Sequence, residues 1–395
     1  MSERIRVLVV DDSALMRKLI PTILSRDPDI EVVGTAMDGA FALKKIEELH
    51  PDVVTLDLEM PRMDGMETLR LIMRRGPIPV ILFSTHSKEG AYSTFKALAL
   101  GAIDFVAKPK EAAAGHLDSI AGHLIEKIKV AKRASGRRLL SPLVEEVPPA
   151  RKKGNRPAVP PNRIIAIGVS TGGPNALQYV FSQIPADFPA SFVVVQHMPE
   201  GFTEMFARRL DECCAIDVQE AKSGDLLVAG RVLICPGNRH LMVRRMPRGD
   251  MAVLSDSPPV NGHRPSVDVL FHSVAQDFGP MAVGVLMTGM GEDGAEGLGA
   301  IRTAGGMTIA QSEDTCVVGG MPRAAILKGY ASKILPLENL GIFLANQYGG
   351  DRSPEKSDKS EKSDRHDEKD KSGRSLAAEK KEKEKEKAPV SSPRS

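Results

Sequence analysis

The chain has 395 residues, too many for one ordinary domain, and a formal net charge of +2, which gives no electrostatic case for binding nucleic acid. No apolar run approaches the ~20 residues that span a bilayer, and the opening MSERIRVLVVDDS is too short and too acidic for a signal peptide, so a cytoplasmic protein without membrane insertion is expected. The four cysteines (Cys213, Cys214, Cys235, Cys316) form no C-x-x-C pair and no metal-ligand spacing, which fits reduced thiols.

From residue 5 to about 130 the pattern alternates. RVLVV, EVVGTA, DVVTLDL, PVILFS and AIDFVAK read as strands. Between them ALMRKLIPTIL, AFALKKIEEL, GMETLRLIMRR and GAYSTFKALALG carry apolar residues at three- and four-residue spacing and read as helices. Strands alternating with helices predict a parallel sheet covered on both faces. In such a sheet the carboxyl ends of the strands form the functional edge. Asp11 and Asp12 end the first strand, Asp57 the third, Ser84 the fourth and Lys108 the fifth, so they are expected to converge. Three clustered carboxylates repel one another unless a cation is present, and hard oxygen ligands suit Mg²⁺. Asp57 is then a candidate acceptor of a phosphoryl group, with Lys108 and the Ser84 hydroxyl as phosphate contacts.

VLVVDDS, LDLEMPRMDGME and AIDFVAKP resemble the signatures of response-regulator receiver domains over roughly residues 4–125. The resemblance implies a five-stranded flavodoxin-like fold and phosphorylation by a partner histidine kinase. It places the phospho-acceptor on Asp57, the metal-binding acids on Asp11 and Asp12, and the phosphate-contacting lysine on Lys108. It also puts Phe105 where the family has an aromatic residue that repacks on phosphorylation.

Near Ala131 the character changes. Residues 131–162 are rich in Pro, Arg, Lys and Gly without a sustained period and read as a linker after a first domain of residues 1–130. A second alternating block follows over residues 163–349. RIIAIGVS, SFVVVQH, RVLICPG, MAVGVLMTG and MTIAQ are strand-like; ALQYVFSQI, FTEMFARRL, PSVDVLFHSVAQDF, GAEGLGAIRTA and PRAAILKG are helix-like. HLMVRR and MAVLSD suit an antiparallel hairpin. Residues 350–395 hold almost nothing apolar and read as a disordered charged tail.

The turn GVSTGG admits two readings. A phosphate-binding loop needs G-x-G-x-x-G or a Lys after its last glycine, but Ser170 holds the place of the second Gly and Pro174 follows Gly173. Gly168-Val169-Ser170-Thr171-Gly172 does fit G-x-S-x-G, a strand-to-helix turn that exposes a nucleophilic serine. A base is then needed. Of nine histidines, His197 ends the strand SFVVVQH on the same edge, while His263 in NGHRPS remains open; His240 falls in a turn. The acid that orients the base is Asp293 in MTGMGEDG, since its rival Asp268 is explained by the dipole of the helix it begins. The order Ser, His, Asp differs from that of the α/β-hydrolases.

AIGVSTGGP, VVQHMP, VNGHRPSVDVLF, LMTGMGEDGAEG and GGMPRAA resemble the catalytic domain of chemotaxis protein-glutamate methylesterases over about residues 163–347. The resemblance implies a Rossmann-like three-layer α/β domain, so that the chain as a whole is α/β with two doubly wound parallel sheets. It implies hydrolysis of γ-glutamyl methyl esters on chemoreceptors, and deamidation of particular receptor glutamines, with no cofactor in the ester hydrolysis. Ser170, His197 and Asp293 take the catalytic places. Backbone N–H groups of Thr171 and Met290 are expected to stabilise the oxyanion, and Arg264 is either a contact for acidic receptor groups or a packing residue at the helix start. A monomer is expected, in which the unphosphorylated receiver packs over the catalytic edge. Two other classes compete: a receiver joined to a nucleotide-binding module, which would bind nucleotide and leave Ser170 unreactive, and an output domain that docks to receptors without hydrolysing them.

Overall fold

Short apolar runs become strands and amphipathic runs become helices through the first domain. In the computed structural model, which describes residues 4–108, 114–134 and 158–349, β1 (Ile5–Val10), β2 (Ile30–Ala36), β3 (Val53–Asp57), β4 (Val80–Ser84) and β5 (Asp104–Ala107) form one sheet. Its order is β2-β1-β3-β4-β5, parallel throughout. The helices between them are α1 (Ala14–Leu24), α2 (Gly39–Leu49), α3 (Gly65–Arg75) and α4 (Lys88–Ala99). Ser13, Asp38, Asp64 and Ser87 cap their N-termini, each side chain accepting from an N–H three residues on. The next helix, α5 (Ala114–Ala134), corrects the expected boundary: it continues past residue 130 into the segment read as linker. Its buried Leu124, Ile128 and Ala131 recur at helical spacing against the sheet core. The rest of the expected linker up to 157, and the expected tail, lie outside the described residues.

Among the described residues the second sheet has seven strands: β6 (Ile164–Val169), β7 (Ser191–Gln196), β8 (Asp217–Glu220), β9 (Arg231–Ile234), then β12 (Ala282–Leu286), β13 (Met307–Gln311) and β14 (Lys333–Leu335). The intervening β10 (His240–Arg244) and β11 (Met251–Ser255) form a separate antiparallel pair, as expected of the hairpin, and Met251 also bridges to Leu226. The large sheet runs β14-β13-β12-β6-β7-β9-β8, all parallel. Its helices are α6 (Gly173–Ser182), α7 (Thr203–Cys213), α8 (Val267–Phe278), α9 (Ala295–Thr303), α10 (Gly320–Leu327) and α11 (Leu337–Tyr348). β6, β7 and β12 are buried end to end, as expected of strands covered on both faces. The chain leaves β6 toward β7 on one side and returns to β12 on the other. In open sheets of this kind the carboxyl ends at such a reversal are where ligands bind. Among the described residues no helix is long and apolar enough to cross a membrane.

The two sheets meet through an aromatic cluster. Phe105 of β5 meets Phe202 at a 33° tilt, centroids 4.6 Å apart, and Phe95 of α4 lies 5.3 Å from Phe206 of α7. His86 meets Phe202 edge-on at 5.7 Å. All four phenyl rings are buried, so the contact removes apolar surface from water rather than resting on exposed charge. Asn175 of α6 donates to the Leu98 carbonyl at 2.8 Å, and Lys88 pairs with Glu204 at 3.5 Å.

Candidate active site

β6 and β7 are in parallel register, with Gly168 opposite Val195 and Val169 opposite Gln196. One step further, where both strands end, come Ser170 and His197; the His197 N–H donates to the Val169 carbonyl at 3.1 Å. The adjacent strand ends are thus what bring the expected nucleophile beside the expected base. Gly172 then turns the chain at φ +79°, a conformation that favours glycine, with Val317 filling the space a Cβ would need. α6 starts immediately after.

Gln196, missed by sequence reasoning, holds both residues. Its side-chain amide donates to the carbonyls of Ser170 (2.9 Å) and His197 (3.1 Å). On the other side, the Ser170 N–H donates to the Thr288 carbonyl at 2.9 Å. The loop after β12 approaches so closely that a Cβ on Gly289 would stand 2.8 Å from Ser170 Cβ. The N–H groups of Thr171 and Met290 donate to no acceptor among the described residues.

His197 Nε2 donates to Asp293 Oδ2 at 2.9 Å, and its Nδ1 is buried without a partner. The acid is thus on one nitrogen while the other keeps a free lone pair. No hydrogen bond joins His197 to Ser170 Oγ or to the Thr171 hydroxyl in this structure. Burial holds the imidazole below its ordinary range; Asp293 opposes that shift, and positive charge at His263 and Lys127 adds to it. His263 stacks on His197 with centroids 4.0 Å apart and a 12° interplanar angle. Lys127, on α5, brings the first domain to the edge of this site.

Asp293 is itself heavily supported. Oδ2 accepts from Val267 N–H (2.6 Å), and Oδ1 from the Ser266 hydroxyl (2.8 Å), Asn261 Nδ2 (3.2 Å) and Asp268 N–H (3.3 Å). Burial would raise this carboxyl, but His197 and these donors outweigh it and hold it well below the usual carboxylate range. The rival Asp268 does not reach His197. It accepts from Gly297 N–H at 2.7 Å and Asn261 Nδ2 at 2.7 Å, tying α8 to α9, and burial pushes it upward. Asn261 holds both acids from a left-handed conformation, φ +53°, that asparagine tolerates. Arg264 is absorbed by Asn238 Oδ1 (2.7 Å) and the Asp256 and Ser257 carbonyls, which favours a structural account of it.

At the other edge, Lys108 Nζ lies 2.6 Å from Asp57 Oδ2 and 3.1 Å from Asp11 Oδ2. Carboxylate oxygens of Asp11, Asp12 and Asp57 fall within 4.8 Å of one another, and buried Asp11 Oδ2 has no aligned hydrogen-bond donor. An oxygen-only set with such an atom fits Mg²⁺. Burial raises the Asp57 carboxyl although Lys108 opposes it; burial would lower the Lys108 ammonium, but Asp57 and Asp11 outweigh it and hold it above its ordinary value. Ser84 ends β4 as expected, but its hydroxyl points to α4, accepting from Thr94 Oγ1 at 2.5 Å and donating to the Gly90 carbonyl at 3.3 Å.

A five-stranded parallel α/β domain joined to a second α/β domain, with Ser170, His197 and Asp293 gathered at its strand ends, is an arrangement compatible with a hydrolase. Residues 165–344 match the family model for CheB methylesterase, and residues 7–117 that for the response regulator receiver domain. Similarity extends along whole relatives. A protein-glutamate methylesterase/protein-glutamine glutaminase of Koribacter versatilis is 60% identical over 353 residues, 88% of this chain and 97% of that protein. One of Symbiobacterium thermophilum is 46% identical over 357 residues, 87% of this chain and 97% of that protein. The crystal structure of the Thermotoga maritima CheB methylesterase catalytic domain is 39% identical, covers 47% of this chain and 98% of its own, and has a TM-score of 0.46. The chain belongs to the protein-glutamate methylesterase/protein-glutamine glutaminase family.

Proposed function

We propose that the protein hydrolyses glutamate methyl esters on chemoreceptors, and deamidates specific receptor glutamines, when its receiver is phosphorylated by a chemotaxis histidine kinase. The observation that carries the reading is the His197 imidazole, held by Asp293 on one nitrogen and free on the other, beside Ser170 at the neighbouring strand end. His197 Nδ1 takes the Ser170 proton as Oγ attacks the γ-carbonyl. The N–H groups of Thr171 and Met290 stabilise the oxyanion. The tetrahedral intermediate expels methanol, or ammonia from glutamine, which takes its proton from the imidazolium. Water, deprotonated by His197, then cleaves the acyl-serine to free glutamate and Ser170. The activity predicts methanol release from methylated receptor. If receptor binds and no methanol appears even with phosphodonor, the docking-only reading replaces this one.

Regulation follows from the aromatic contact. Phe202 lies five residues after His197, so a receiver seated on Phe202 and Phe206 sits over the segment that leads from the base. Mg²⁺ held by Asp11, Asp12 and Asp57 would neutralise charge on the incoming phosphoryl group. Lys108 is placed to take up a phosphoryl oxygen on Asp57. A second such oxygen competes for the Ser84 hydroxyl, which otherwise ties β4 to α4, the helix packed on α7. Asp57→Asn is therefore expected to keep a low basal rate and lose all stimulation by phosphodonor with Mg²⁺. A fragment beginning at Ala158, which keeps the Ala229 N–H bond to the Val159 carbonyl, is expected to run faster than the unphosphorylated full chain and ignore phosphodonor. Each ~1.4 kcal/mol favouring closure lowers the open fraction about tenfold, so the fragment's gain measures closure. A folded fragment no faster than the full chain sinks simple covering.

Asn175→Ala offers a milder test. It leaves the Leu98 carbonyl without its donor and should raise the unphosphorylated rate about three- to tenfold, the size of one hydrogen bond. The check is the ratio of rates without and with phosphodonor; an unchanged ratio means that this contact does not contribute to closure.

A further inference from the structure

Behind Asp293 the network continues to His240, the first residue of β10, which is wholly buried. Its ring nitrogens have different backbone partners. Nδ1 accepts from the Ser266 N–H at 3.2 Å, and Nε2 donates to the Pro258 carbonyl at 3.1 Å. A backbone N–H can only donate and a carbonyl can only accept, so the ring is neutral with its proton on Nε2. Ser266 is the N-cap residue of α8, yet its side chain makes no capping bond. Its hydroxyl donates to Asp293 Oδ1 instead, while the next N–H, that of Val267, donates to Oδ2. The carboxylate that faces His197 is thus seated on the start of α8, and the residue supplying its hydroxyl donor is pinned from behind by His240.

We propose that His240 is a positioning residue for the catalytic pair: acting through Ser266, it fixes the angle at which Asp293 meets His197. This rests on the hydrolase reading above. It gives the small β10–β11 sheet, which pairs with no other strand, a part in catalysis, because its first residue reaches across to α8. A buried histidine chosen for packing alone needs no acceptor at Nδ1. Here that acceptor is used, and it is used on the one residue whose hydroxyl holds the acid.

The test compares three substitutions in the full chain with phosphodonor and Mg²⁺. His240→Leu removes both polar atoms. His240→Gln extends an amide toward the place of Nε2, and His240→Asn puts an acceptor near the place of Nδ1. Leu and Gln are expected to lower kcat about ten- to a hundredfold, the range for a buried hydrogen bond left unmade, with KM within about twofold. Asn is expected to recover most of that loss. Ser266→Ala should lower kcat similarly, and adding His240→Leu to it should cost little more, since both break one chain of contacts. Imidazole ¹⁵N and ¹H resonances of His197, read without substrate, should shift in His240→Leu and return toward wild type in His240→Asn. A wild-type chain that releases no methanol, with these resonance shifts still present, would overturn the hydrolase reading and leave the brace standing. Wild-type kcat and unchanged His197 resonances in His240→Leu would overturn the brace. So would equal losses in all three variants that add fully to Ser266→Ala, because general packing then accounts for them.

Discussion

Ser170→Ala is expected to lower methanol release from methylated receptor by about 10⁶ in turnover while leaving the protein folded. The size follows from how a nucleophile works with its base: without Oγ no acyl-enzyme forms, and His197 has nothing to deprotonate that touches the ester. The intact fold follows from the contacts around Ser170. Its N–H bonds to Thr288, and its carbonyl accepts from Gln196 and Gly173; all are backbone groups that alanine retains. The Cβ facing Gly289 is retained as well. Melting temperature and receptor binding should therefore stay close to wild type. Near-wild-type methanol release by a purified Ser170→Ala chain removes Ser170 from the mechanism, and with it the esterase reading of the G-x-S-x-G turn.

What the sequence made legible is what depends on one-dimensional pattern. Largely apolar runs mark β6, β7 and β12 because both faces of those strands are covered, and a residue just past such a run must lie at the sheet's carboxyl edge. That logic reached Ser170, His197, Asp57 and Lys108 without any contact being known. It failed at the margins of the sheet. β8 reads DVQE and β14 reads KIL: short edge strands with little covered surface, so their composition carries no burial signal. Nor does pattern reveal that β9 slips between β7 and β8. It also named no helix at α5 and did not single out Phe202, which meets Phe105 of the first domain.

The polar framework was the least legible part. Gln196, Asn261, Ser266 and His240 look like strand, turn and cap residues, and each acts through a partner 7 to 32 residues away or further back in the fold. Only the tertiary approach of β7, β10, α8 and the loop after β12 tells which buried polar atoms need one another. The VNGHRPS stretch carried a partial signal: asparagine and glycine before a helix start mark a conformation other residues avoid, and Asn261 adopts it.

Asp293→Asn is expected to lower turnover by about 10⁴, by analogy with other triads, and Asp268→Asn by less than about tenfold. The carboxylate of Asp293 accepts five hydrogen bonds, two at Oδ2 and three at Oδ1. An amide has one oxygen. Placed with nitrogen toward His197, it sets a donor against Val267 N–H and forces the imidazole to keep its lone pair on Nε2, so that Nδ1 carries a proton and cannot take one from Ser170. Placed the other way, it sets a donor against Asn261 and Asp268 N–H and loosens α8. Either placement also loses the charge that stabilises the imidazolium. At Asp268 the oxygen facing Gly297 N–H can be kept, and nothing there touches His197. The pH profile separates this role from simple misfolding. In the wild type Asp293 raises the His197 pKa against the lowering by burial, so its loss should move the acid limb of kcat/KM to lower pH. Stability should respond at still lower pH. A carboxyl depressed on folding contributes stability above its unfolded value of about 3.9 that is lost as pH falls toward the folded value, and the asparagine chain should lack that part of the acid transition. If Asp268→Asn is the crippled variant and Asp293→Asn retains turnover, the acid has been assigned to the wrong residue, and His197 must be oriented through Asn261 and the start of α8 instead.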